Sequence, residues 1–135
     1  MLIEEEGGQD MPVVCDVTDH EQISETVETF VKDLERLDVI MNNGQDFPRA
    51  ALIDTTDEVL SQIFDSGPFA AVRFIGAAYR HLKAHGAGVI INMGSGAQLM
   101  HEPKSFGAYV APKWAMVGFT RTACAEGGST ASGPC

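Results

Sequence analysis

Apolar positions fall into two alternating patterns along this chain: short continuous runs, and longer stretches at helical spacing. The run "MPVVCDV" ends around Asp16 and predicts a strand. In "TDHEQISETVETFVKDLER", Ile23, Val27, Phe30, Val31 and Leu34 recur every three to four residues behind a Thr18/Glu21 capping box, so a helix follows. "LDVIMNN" predicts a second strand and "QDFPRAALIDTT" a loop. A second capping box, Thr55 with Glu58, opens a helix to about Ala84, with apolar positions at Val59, Leu60, Ile63, Phe64, Val72, Ile75, Tyr79 and Leu82. A kink is expected at Gly67-Pro68, because proline cannot donate the helical bond to residue 64. "GVIINMGS" is continuously apolar, as buried parallel strands are, and a further helix carrying Tyr109 and Lys113 follows a short loop. Three strands joined by helical crossovers imply an α/β fold with a doubly wound parallel sheet and helices on both faces.

Composition narrows the function classes. At 135 residues, 44% apolar and 21% charged, the chain is long enough for one domain with a real core. A net charge of -10 opposes phosphate-backbone binding and argues against nucleic acid as a partner. No apolar run reaches the ~18 residues of a membrane span, and the acidic start "MLIEEEGGQD" is the reverse of a secretory signal. No membrane partner and a cytoplasmic location are therefore expected. Cys15, Cys124 and Cys135 have no metal-ligand spacing and read as reduced thiols. His81 and His85 form an i, i+4 pair without a third ligand, so no metal is expected and a solvated helix end is the simpler reading. "GGSTASGPC" breaks the apolar pattern; the domain is placed at 1–126 and a flexible tail at 127–135.

In parallel α/β sheets, chemistry collects at the carboxyl ends of the strands. Asp16, Asn42, Asn43 and Ser95 stand where strands give way to loops. In the last helix, four residues separate Tyr109 from Lys113, an advance of about 6 Å with a turn of about 40° beyond a full circle, so the two share a face. A free phenol is only about 0.1% ionised at neutral pH, and a nearby cation eases its proton loss.

Together, "CDVTD" at 15–19, "LDVIMNNGQ" at 37–45, "GVIINMGSGAQ" at 88–98 and "YVAPKWAMVGFTR" at 109–121 resemble the short-chain dehydrogenase/reductase family, over nearly all of the chain to about Glu126. The resemblance implies a Rossmann-like fold, NAD or NADP as cofactor, hydride exchange with a small-molecule alcohol or carbonyl substrate, and a homo-oligomer in the complete protein. Carried over by position, Tyr109 is the general acid or base, Lys113 supports it and holds the nicotinamide ribose, and Ser95 hydrogen-bonds the substrate oxygen. Asp16 with Val17 matches the adenine contact, and Asn43 lies beside the adenosine. The turn after the second strand departs from the family's Asn-Asn-Ala-Gly, reading Asn-Asn-Gly-Gln, and a position that commonly supplies a catalytic asparagine falls on Gly67. No glycine-rich phosphate turn is present, so the chain resembles the middle of such an enzyme, lacking its N-terminal turn and its C-terminal strands. The alternative is a catalytically inactive family member acting as a binding or oligomerisation module.

Overall fold

The computed structural model describes residues 2–99 and 106–127. In chain order these residues form α1 (Leu2–Glu5), α2 (His20–Leu34), β1 (Val39–Asn42), α3 (Asp57–Phe64), α4 (Ala70–Ala84), β2 (Val89–Asn92) and α5 (Gly107–Gly127). The predicted tail, apart from Gly127 at the end of α5, lies outside the described residues.

β1 and β2 pair in parallel, Val39 opposite Val89 through Asn42 opposite Asn92, with α3 and α4 forming the crossover. This is the α/β parallel arrangement the sequence predicts. The core lies between sheet and helices: Val27 of α2 packs with Ala78 and Leu82 of α4, surrounded by Val31, Leu37, Ile40, Phe74, Ala77 and Ile90. Alternation along the strands puts Ile40 and Ile90 on the helix side. Val39, Met41 and Val89, on the opposite side, are 51%, 59% and 52% exposed.

The expected first strand is a correction. Residues 11–17 make no strand pairing among the described residues, and Val14 is fully exposed. A strand exists only through its neighbour's hydrogen bonds, and among the described residues β1 pairs with β2 alone.

Both helix starts lie one residue beyond the predicted caps. Asp19 caps α2, accepting from the Glu21 and Gln22 amides at 2.8 and 3.2 Å. Thr56 caps α3, accepting from the Val59 amide at 3.4 Å. In each pair of neighbouring cap-competent residues, the one whose oxygen reaches the second or third amide of the helix takes the role. Between α3 and α4 the expected kink takes a definite form, a single π-helical turn at Asp65–Phe69 around Pro68. The wider turn accommodates a residue with no amide hydrogen and keeps the two helices continuous.

Two smaller expectations also change. His81 is not solvated: its Nε2 lies 2.9 Å from Glu28 Oε1, and Arg80 pairs with the same carboxylate, tying α4 to α2. Hydrogen bonds from His81 and Arg80 hold the Glu28 carboxyl below its ordinary range. Cys15 carries a free thiol, whereas Cys124 is disulfide-bonded and departs from the reduced state expected for all three.

Candidate functional site

α5 runs unbroken through Pro112, which is fully buried. The i, i+4 geometry therefore survives: the Lys113 ammonium stands 5.5 Å from the centre of the Tyr109 ring. Lys113 is only 5% exposed, and its Nζ donates to the Met93 carbonyl, just past β2, at 3.0 Å. Burial lowers its pKa. An ammonium with one hydrogen bond and little water is an under-solvated cation, which interacts strongly with charge forming nearby.

Tyr109 is fixed by its ring. Phe47 packs on it with centroids 4.3 Å apart, and Phe106 meets it edge-on at 6.0 Å. A parallel bridge between Ala50 and Phe106 brings the loop after β1 alongside the start of α5. Gly107 allows this approach, because a Cβ there would lie 2.6 Å from the Leu52 backbone.

Ser95 ends the segment after β2 and caps the short turn Gly96–Gln98, its Oγ accepting from the Ala97 amide at 3.2 Å. The hydroxyl proton remains available for donation. Gln98 couples this turn to α5: its Oε1 accepts from the Ser95 amide at 2.8 Å, and its Nε2 donates to the Lys113 carbonyl at 2.8 Å. One side chain thus ties the Ser95 turn to the helical turn carrying Lys113, at the end of β2 where Met93 accepts from the ammonium.

The other predicted residues gather elsewhere. Val17, Asn43 and Gly44 line a cavity of about 270 Å³ with Ile40, Ala71 and Gly67. Asp16 stands beside it in a tight turn, accepting from the Thr18 hydroxyl at 2.7 Å and the Thr18 amide at 2.9 Å; these bonds lower its pKa. Ser95 and Lys113 are thus joined through Gln98 at the end of β2, Tyr109 lies one helical turn before Lys113, and Val17 and Asn43 line the cavity beside β1, with Asp16 next to Val17 in the chain.

Sequence reasoning named Asn42 as a strand-end residue but not the two polar connections that run from it through Asn92. Asn42 Nδ2 donates to Asn92 Oδ1 at 2.7 Å, and Asn92 Nδ2 donates to Thr120 Oγ1 at 2.8 Å, linking both strands to α5. The matching ends "VIMN" and "VIIN" carry that signal, since equivalent positions of paired parallel strands lie side by side. Gln98, which ties the Ser95 turn to α5, has no comparable local signature.

The short chain dehydrogenase family pattern matches residues 2–131, and the chain belongs to that family. Among curated relatives, an uncharacterised oxidoreductase of Thermotoga maritima is 34% identical over 126 residues, which cover 90% of this chain and 47% of the relative. Tropinone reductase-like 3 of Erythroxylum coca is 29% identical over 90% of this chain and 46% of its own length. A solved NAD+-bound xylitol dehydrogenase superposes with a TM-score of 0.84 at 27% identity, covering 91% of this chain and 47% of that one. The chain spans somewhat under half the length of these relatives. The likeness extends to the Rossmann fold that the two strands and their crossover define.

Proposed function

We propose that this chain carries the proton-transfer residues of an NAD(P)-dependent oxidoreductase acting on an alcohol or carbonyl substrate. The observation that carries the reading is the Tyr109–Lys113 pair, a phenol beside a buried ammonium at the carboxyl end of a parallel strand. Reduction of a carbonyl leaves charge on oxygen. Tyr109 protonates that oxygen as the charge forms, or removes the proton in the reverse direction. Lys113, buried with its ammonium 5.5 Å from the centre of the Tyr109 ring, supports that transfer with its positive charge. Ser95 donates its hydroxyl proton to the same oxygen and fixes its position.

The cavity beside β1 is compatible with part of a dinucleotide. Its volume of about 270 Å³ suits a nucleoside, and an exposed Asn43 with the open backbone at Gly44 offers donors and acceptors without obstruction. Asp16, Val17 and Asn43 would hold the adenosine end, and Lys113 and Tyr109 the nicotinamide ribose. Bound there, NAD or NADP supplies or accepts the hydride.

A homo-oligomer is the assembly this reading implies. Phe69, Val72 and Tyr79, at successive intervals of three and seven residues along one stretch that includes α4, are 44%, 41% and 45% exposed, and Trp114 on α5 is 50% exposed. Such a set supports burial against a second copy.

The test is turnover by the gene's full translated product with NADH and NADPH over a panel of aldehydes and ketones. The reading expects oxidation of one cofactor and a kcat about a hundredfold lower for Ser95→Ala. Absence of turnover with every pair would overturn it.

A further inference from the structure

Gln45 is polar, sheltered and unpaired. Both atoms of its carboxamide, Oε1 and Nε2, are shielded from solvent and have no hydrogen-bond partner among the described residues. Buried amides are almost always paired, because losing water without gaining a partner costs more than a hydrogen bond returns.

The surroundings are built to hold the amide there. Gly67, inside the π-helical turn, leaves the room: a Cβ at that position would lie 2.7 Å from Gln45 Cδ and 3.0 Å from Oε1. Glycine within a helix is itself destabilising, so the space has a cost of its own. On the next residue, the Asp46 amide donates to Ser66 Oγ at 3.0 Å, and the Asp46 carboxylate accepts from Gln62 Nε2 at 3.0 Å. Ser66 in turn donates to the Gln62 carbonyl at 2.8 Å. One residue further, Phe47 packs at a tilt against Tyr109. Asp46, the residue after Gln45, is held to the π-helical turn, and the Gln45 side chain lies against Gly67 of the same turn. π-helical turns inside α-helices recur at functional sites.

We propose that Gln45, packed on Gly67 at the edge of the cavity that Gly44 and Gly67 line, is a ligand-reading residue, its amide held for a hydroxyl or carboxamide group of the molecule that binds there. One carboxamide offers a donor and an acceptor side by side, which matches a neutral polar group carrying both and discriminates against an apolar one. The inference rests on the dehydrogenase reading for the place of the site, but it stands on the unpaired amide and on Gly67.

The test follows the Gln45 side-chain NH₂ resonances of the ¹⁵N-labelled full translated product, assigned with Gln45→Leu, during titration with NADH, NADPH and the small amphiphilic alcohol 1,2-propanediol. The expected result is a saturable shift of that resonance pair with at least one probe. Gln45→Leu should weaken the same probe about tenfold, equivalent to about 1.4 kcal/mol, and should raise the melting temperature of the free protein by removing an unpaired amide. Gly67→Ala, which crowds the amide and leaves it in the chain, should weaken the probe as well. A resonance pair unmoved by all three probes overturns the inference, as does a Gln45→Leu affinity within twofold of the parent. A protein that turns over while Gln45 stays silent sinks this inference alone, whereas a shift at Gln45 without turnover sinks the dehydrogenase reading alone.

Discussion

At the residue scale the weight falls on Lys113, a lysine removed from water and given one carbonyl and one aromatic face in exchange. Its lowered pKa has a definite stability signature. Between the folded value and the ordinary ~10.4, the unfolded chain binds more protons than the folded one, so stability rises with pH across that window. Below the folded value the burial penalty is present in full. Lys113→Met should therefore flatten the alkaline rise in a series of urea melts and should not lower the neutral-pH midpoint beyond the loss of one hydrogen bond; a slope equal to the parent's would contradict this. The lowered carboxylates also make stability rise with pH, but in the acid range and through a stabilising contribution rather than a burial penalty. Asp16 and Asp19 are lowered by hydrogen bonds from Thr18 and Gln22, so their contribution is present above the ordinary carboxylate range and is lost as pH falls through their folded values. Asp19→Ala should lower the melting temperature by a few degrees at neutral pH and by less in acid. The i, i+4 spacing of Tyr109 and Lys113 was legible in the sequence because helix geometry alone decides it. The Gln98 bridge and the unpaired Gln45 amide were not, since both depend on where residues distant along the chain come to rest.

At the scale of elements, sequence patterning located α2, the long helix of the crossover, β1, β2 and α5, each within a few residues. What it missed has a common cause. "TTDE" and "VTDH" each place two cap-competent residues side by side, and the choice between them is made by backbone direction. The run at 11–17 has the composition of a strand, but strand formation belongs to a pair. Proline at 68 announced a distortion, whereas its π-helical form follows from keeping α3 and α4 in line. Three glycines allow a sharp comparison. Gly107→Ala brings a Cβ to 2.6 Å from the Leu52 backbone, which has no flexible end to move, and should cost about 1–3 kcal/mol. Gly76→Ala and Gly118→Ala, in helices with nothing within 4 Å, should stabilise by about 0.5–1 kcal/mol through helix propensity. Chemical denaturation of the three variants checks the order; a harmless Gly107→Ala would mean that α5 does not approach the turn at Leu52.

At the scale of the molecule, the described sheet has two strands, a free edge on each and one face whose side chains stand exposed. Such sheets are marginal alone and invite pairing. At raised concentration the 135-residue chain should associate, and Met41→Lys should shift sedimentation toward monomer; unchanged sedimentation would mean that the β1 edge takes no part. The same helix layer that covers the other face brings α5 to the end of β2, so the fold joins Lys113 to the Ser95 turn even though residues 11–17 make no strand pairing among the described residues. The most direct test of the function is Tyr109→Phe, which removes one oxygen and keeps the ring that packs on Phe47. In the full translated product, turnover should fall about a hundred- to ten-thousandfold with cofactor affinity nearly unchanged. Turnover equal to the parent's would contradict the assignment of proton transfer to this phenol.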